Sequence, residues 1–339
     1  MKILFAASPD FVYPVLEFLA CEHELTAVLT NAPRQSGRGK KMHASPLLQY
    51  VNNVIHTEHK NFADTSPERV VEKLSRVKII EADTIDETVY AEVQALDCDL
   101  LVCYAFGKMF TEKFLSLFRY GGINIHPSLL PRWRGASPVP AAILHGDTIT
   151  GVSIQTLVKK MDAGKILAAA SYPLNDRENA GEVLAALTEK SVGLLRRVLA
   201  DFPLALKNAQ PQDESAATYC TKLTREKINW NNSALQIART VLALTPNPKT
   251  FSSVAGERIT LTKVSVLDTD KERCIEAIEK KAKNGKIVGV DKDSGILVQT
   301  AQGLLAIERL QREGKKEMPW KDFLNGYGTF LECTFDNEI

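Results

Sequence analysis

Residues 121–138, reading GGINIHPSLLPRWRGASP, constrain this chain more than any other stretch. Ile123, Asn124, Ile125 and His126 alternate apolar and polar. At a strand's period of two, the amide and the imidazole share one face and the isoleucines the other. Pro127 has no N–H for a sheet ladder and holds the residue before it extended, so the strand is expected to stop at His126. An Asn and a His are thereby delivered together to the C-terminal end of a strand, the edge at which open α/β sheets bind ligands. Two solvated polar groups at a strand end are the plainer alternative.

The N-terminal third supplies the sheet. Residues 2–7 are short, apolar and β-favouring; Ser8-Pro9-Asp10 breaks them, Pro14, Val15, Leu16, Phe18 and Leu19 mark an amphipathic helix, and a second strand runs over 25–30. Strand–helix–strand order predicts a parallel, Rossmann-like sheet. The turn after the first strand has no G-x-G-x-x-G, so no NAD is expected there. Further strands are expected over 77–81, 99–105, 151–158 and 166–174. Helices are expected over 89–96, 108–118 (Phe110, Phe114 and Phe118 on one face), 137–145 and 179–206. Residues 53–76 read as a surface excursion with a helical pattern at Val70, Val71 and Leu74.

A polar stretch with Pro211, residues 207–217, reads as a linker between a catalytic domain over 1–206 and a second domain over 218–339. In the latter, short alternating runs at 249–254, 258–266, 285–290, 295–300 and 304–310, separated by Gly or Asp turns, predict a small β-barrel, with a charged helix over 272–283 inserted. Net charge is only +1, but residues 220–316 hold 18 Lys and Arg against 11 Asp and Glu, a surplus of seven. Such asymmetry suits a polyanionic partner. The loop 31–43 carries Arg34, Arg38, Lys40 and Lys41 with no acid among them, as a solvated turn or an RNA phosphate contact would.

Six cysteines show no C-x-x-C and six histidines no metal-ligand spacing, so reduced thiols in a cytoplasmic protein and no metal are expected. No run of eighteen apolar residues and no signal-peptide layout is seen.

The run Asn124-Ile125-His126-Pro127-Ser128-Leu129-Leu130-Pro131, with Gly135 and Pro138, resembles the signature of the formyltetrahydrofolate-dependent formyltransferases, and Asp162-Ala163-Gly164 is similar to that family's Asp-x-Gly loop. The N-terminal strand and turn, the basic loop 36–41 and the segment from Tyr219 onward look the same way. The likeness implies a catalytic trio of Asn124, His126 and Asp162. It implies 10-formyltetrahydrofolate as co-substrate, held by Ser128, Leu129, Leu130, Pro131 and the turn at Phe106 and Gly107, and an OB-like second domain. The variant SLLPRWRGA is similar to that of members acting on initiator methionyl-tRNA, which places the expected role in translation initiation. Arg34, Arg38, Lys40, Lys41, Arg132, Arg134 and Lys222 are then expected on the tRNA, in a monomer. Trp133, between two arginines, either stacks on a base or packs inside.

The chemistry fits those residues. Formyl transfer to an amine passes through a tetrahedral oxyanion, which needs preorganised donors. Asn124 offers an amide N–H, a protonated His126 a cationic one, and a carboxylate such as Asp162 favours that cation and can order a water. Ser128 lies in no G-x-S-x-G elbow, so no enzyme nucleophile is expected. The rival readings are a formyltransferase for a small amine, such as an amino-sugar nucleotide or glycinamide ribonucleotide, and a non-catalytic RNA-binding protein on the same fold.

Overall fold

The computed structural model describes residues 1–36, 41–56, 67–267 and 282–337. Arg38 and Lys40 of the basic loop, residues 57–66 of the 53–76 stretch, and 272–281 of the expected inserted helix lie outside the described residues. Contacts divide the chain into two compact units. The first comprises Met1–Ala136, Thr150–Tyr172 and Leu184–Cys220, the second Ser137–Ile149, Pro173–Val183 and Thr221–Ile339.

The first unit is built on β1 (Lys2–Ala7), β2 (Glu24–Thr30), β5 (Lys78–Glu81), β6 (Leu100–Tyr104), β7 (Gly122–His126), β9 (Ile149–Thr156) and β10 (Ile166–Pro173). They lie in the order β10-β9-β7-β6-β1-β2-β5. The ladders from β5 to β7 are parallel, and β9 runs antiparallel to β7. Connections leave β1 in opposite directions, the doubly wound arrangement that the strand–helix–strand order predicts. All five residues of β6 are buried, as in a parallel strand covered on both faces. On one face lie α1 (Tyr13–Glu22) and α2 (Pro46–His56), whose Val15, Leu16, Leu19, Leu47 and Val51 join Ile3, Phe5 and Val102 in the core. The other face holds α4 (Glu87–Gln94), capped by the Asp86 carboxylate on the Thr88 and Val89 amides, and α5 (Glu112–Leu115).

Four expectations change. The helix expected over 108–118 is one short turn, α5, begun by the Thr111 cap. Its phenylalanines do share the core, as a ladder in which Phe106, Phe110, Phe114 and Phe118 follow at ring spacings of 5.6, 5.4 and 5.7 Å. The helix expected over 179–206 is two, α7 (Ala180–Ala200) and α8 (Phe202–Lys207). Pro203 cannot continue the hydrogen-bond ladder, and Asp201 recaps the chain by accepting from the Leu204 amide. The described part of the supposed surface excursion holds the end of α2, with Val54 in the core, and α3 (Pro67–Leu74), whose Leu74 is 1% exposed and enters the core with Val70 and Val71 packed against it. Residues 207–217 are no free linker: Gln210 pairs with Ile166 through two backbone bonds of 2.8 and 2.9 Å, which satisfy groups on the edge strand.

Between β2 and α2, β3 (Arg34–Ser36) and β4 (Lys41–His43) pair antiparallel. Later, β8 (Arg134–Gly135) pairs parallel with β11 (Tyr219–Cys220).

The second unit is a sheet over helices. β12 (Glu226–Lys227), β13 (Thr250–Val254), β14 (Glu257–Val266), β17 (Leu304–Arg312), β16 (Gly295–Gln299) and β15 (Ile287–Asp291) follow in that order, with β18 (Met318–Pro319) beside β17. Every ladder from β13 to β15 is antiparallel. Among the described residues the path runs from β12 to β15, a sheet of its own following the mostly parallel one. The helix α9 (Ala234–Leu244) starts in a capping box between Ser233 and Gln236 and buries Ile237, Val241 and Leu244. α6 (Pro138–His145) packs on α9, and α10 (Trp320–Asn325) closes the sheet's other end with Phe323.

Candidate active site

Strand β7 ends at His126, and its alternation holds. Ile123 and Ile125 enter the core while Asn124 and His126 face the loop between β9 and β10. That loop carries Asp162, so a residue distant in the chain converges with the two on β7. Asn124 Nδ2 lies 3.5 Å from Asp162 Oδ1, and His126 Nδ1 lies 3.6 Å from the same oxygen. Asn124 is half-buried, Asp162 keeps 13% of its side-chain surface and His126 only 5%. The cluster therefore opens through the amide and the carboxylate, not through the ring.

The imidazole is held at both ends. Trp133 O can only accept, so Nε2 carries the hydrogen and donates it at 2.8 Å. This leaves Nδ1 as the nitrogen turned to Asp162, at an ion-pair rather than a hydrogen-bond distance. His126 therefore faces the opening only across Asp162, and Asn124 contributes a half-buried amide to the cluster.

Asp162 is a non-glycine residue at φ 52°, in the left-handed region. Such a backbone needs support from its surroundings, and the neighbours supply it. Oδ1 accepts from Gln155 Nε2 at 2.9 Å and Oδ2 from the Gly135 amide at 2.8 Å. Gln155 lies opposite Asn124 in the β7–β9 register, and its Oε1 takes the Gly164 amide at 3.1 Å. Gly164 is the only residue that fits there: an added Cβ would stand 1.7 Å from Thr156 O. Gly135 has φ +112°, and its Cβ would meet Cys220 O at 2.2 Å. The β8–β11 pairing holds this corner, with the Trp133 amide on Thr218 Oγ1 (2.9 Å) and the Arg134 amide on Thr218 O (2.9 Å).

Beneath the cluster Cys103 is the registered partner of Asn124, and burial pushes its thiol up to about 12, with the Asp162 charge adding to the effect. It is a packing residue, not a nucleophile.

The expected folate contacts divide. Ser128 is fully buried and its hydroxyl donates to Arg132 O at 2.6 Å, so it serves the turn and is not offered to a ligand. Phe106 is 1% exposed within the aromatic ladder, so its ring is core and not a platform for a heterocycle. The backbone beside it is open: Ala105 (φ 51°) and Gly107 (φ 79°) are exposed at the end of β6. Leu129 and Pro131 are half-buried, and Leu130 is 7% exposed with its amide on Ser153 Oγ at 3.1 Å.

The expected tRNA contacts divide too. Arg134 is wholly buried: Nε and Nη2 donate to Gln212 Oε1 (3.0 and 2.8 Å), and the guanidinium forks onto both Glu214 oxygens (3.1 and 2.8 Å). It is an internal strut with no face for a phosphate. Its hydrogen bonds, then those of Lys160, hold the Glu214 carboxyl down to about 2. Trp133 is buried at 6%, and the exposed Arg132 lies 4.4 Å from its ring centroid. Arg34, Lys41 and Lys222 are exposed, Arg34 with Asp83 3.6 Å away.

Gln155 and Gln212 escape a reading of the sequence alone. A polar residue at every second place in a buried strand, Ser153 and Gln155, was the available signal for the first; nothing marked Gln212 within a polar stretch.

A methionyl-tRNA formyltransferase of Treponema denticola is 43% identical over 340 residues, covering 99% of this chain and all of that protein. One from Treponema pallidum is 38% identical over 329 residues, 96% of each chain. The crystal structure of HypX from Aquifex aeolicus in complex with tetrahydrofolic acid shares the fold, with a TM-score of 0.61 at 17% identity over 98% of this chain and 48% of that one. The family profile described as formyl transferase matches residues 1–199 and that of its C-terminal domain matches 222–328. With its amide, imidazole and carboxylate gathered at the end of β7, the chain belongs to the formyl transferase family.

Proposed function

We propose that this chain transfers the formyl group of 10-formyltetrahydrofolate to the α-amino group of initiator methionyl-tRNA, the step that prepares the initiator for translation. The observation that carries this reading is the convergence of Asn124, His126 and Asp162 within 3.6 Å, in a chain matching methionyl-tRNA formyltransferases along nearly its whole length.

The amine attacks the formyl carbon, its C–N bond forms, and the bond to the folate nitrogen breaks. The amine gives up a proton and the departing nitrogen takes one. Asn124 Nδ2 is the donor toward the oxyanion that develops between these events. Asp162, clear of the sealed ring, receives the amine's proton, and His126 Nδ1 faces it as the group that shares the charge. The donor is held by the half-buried Leu129 and Pro131 and by the open backbone at Ala105 and Gly107, where a heterocycle finds both apolar surface and hydrogen-bonding groups. Arg34, Lys41, Arg132 and Lys222, together with Arg38 and Lys40, meet tRNA phosphates. Most of the catalytic domain precedes the Cys220–Thr221 boundary and most of the tRNA-binding domain follows it, with Ser137–Ile149 and Pro173–Val183 grouped with the latter. One chain holds the whole cluster, so a monomer suffices, and the cytoplasm is where charged tRNA is made.

The test is formyl transfer from 10-formyltetrahydrofolate to charged initiator tRNA, to free methionine and to an amino-sugar nucleotide. Selective product on the tRNA, with a KM that rises steeply with salt for tRNA alone, supports the reading. Preference for the sugar, or binding of RNA without turnover, overturns it.

A further inference from the structure

We propose that Gln212 is a positioning residue of this reaction, the keystone that holds Asp162 in its reactive pose. Its amide works in both directions. The oxygen accepts two N–H groups from the sealed Arg134 guanidinium, at 3.0 and 2.8 Å. The nitrogen donates to the backbone oxygens of Asp162 (2.9 Å) and Gly164 (2.7 Å), and to Gln155 Oε1 (3.2 Å). Gln155 in turn donates to the Asp162 carboxylate at 2.9 Å.

One side chain thus clamps the carbonyls on either side of Ala163 and steadies the donor on the reacting carboxylate. The clamp acts where support is most needed, because Asp162 sits in the left-handed region at φ 52°. Arg134 fixes which end of the amide points which way: a guanidinium has no acceptor, so Gln212 must turn its oxygen there and its nitrogen to the loop. Arg134 is also the chain neighbour of Gly135, whose amide holds the other carboxylate oxygen. Both supports of Asp162 therefore trace to the 133–135 corner and the 212–220 segment, a stretch that reads as a linker in sequence.

The proposal rests on the reaction given above, and Gln212→Glu tests it. The variant keeps an acceptor for Arg134 and loses the donor to the loop. Single-turnover formyl transfer is expected to fall about 10- to 100-fold, the range for residues that orient a reacting group. The KM for folate and for tRNA should stay within about twofold. In an Asp162→Ala background the same change should cost nothing further, because the group it positions is gone. An unaltered rate in Gln212→Glu, or an equal loss in both backgrounds, overturns the proposal. If Gln212→Glu does not fold, Gln212→Asn, which keeps both functions one carbon short, enters the same cycle. A wild-type protein without transferase activity would sink the functional reading alone. The positioning claim is then decided by the Gly135 amide proton resonance, which reports its bond to Asp162 without substrate. It should move upfield in Gln212→Glu toward its place in Asp162→Ala, and no movement would overturn the claim.

Discussion

Asn124 and Gln155 stand directly opposite each other across the β7–β9 ladder, and both side-chain amides turn to the same oxygen of Asp162, at 3.5 and 2.9 Å. The shorter bond anchors the carboxylate. The longer one leaves the Asn124 amide only loosely engaged, as suits a donor reserved for a charge that appears during reaction.

Asn124→Ala should lower the single-turnover rate by roughly 10²–10³, the usual cost of one oxyanion donor. Folate and tRNA affinities, read by equilibrium binding, should hold. A near-normal rate would contradict the role given to this residue.

Phe106→Ala should destabilise the fold by about 3–5 kcal/mol, as for large core aromatics. The ring is 1% exposed and stacked on Phe110 at 5.6 Å. Urea unfolding measures the loss. A conservative Phe106→Leu enzyme should keep its KM for the folate, since the ring touches core.

Arg132 and Arg134 should behave oppositely despite their similar place in the sequence. Arg134→Ala leaves Gln212 Oε1 without its buried donors, which costs on the order of 1–3 kcal/mol. The Glu214 end adds little, being half exposed and screened. Arg132→Ala should leave stability unchanged, raise the KM for tRNA and reduce its salt slope by about 1.

Gly164→Ala should cost more than the roughly 0.5–3 kcal/mol of an ordinary substitution and abolish turnover, because its Cβ would overlap Thr156 O at 1.7 Å. Gly193→Ala supplies the contrast. It lies on the exposed face of α7 with nothing within 4 Å of an added Cβ, and should gain roughly 0.5–1 kcal/mol. Thermal melts of the two variants separate the cases.

Glu214 gives the fold a small dependence on acid, since solvent screens a carboxylate this exposed. Its carboxyl is held down from 4.5 to about 2 by Arg134 and then Lys160. A depressed carboxylate contributes stability that is complete above 4.5 and fades as the pH falls toward 2. Glu214→Gln should flatten that part of the stability–pH curve, read by denaturant titrations across the window. An unchanged curve would remove Glu214 from the account.

The sequence by itself determined what local rules govern. Alternation over residues 123–126 and Pro127 placed Asn124 and His126 on one face of a strand that stops at His126, and strand–helix–strand order required a parallel sheet. These depend on period and backbone chemistry, which neighbours in the chain carry. Whether a polar or aromatic side chain is spent inside the fold or left for a substrate is not a local property. Phe106 looked available to a ring and is core, Arg134 looked available to phosphate and is an internal strut, and Gln212 looked like linker and holds the Asp162 loop. The tertiary structure decided each of them, because burial and hydrogen-bond partners come from strands and loops that meet only once the sheet has formed.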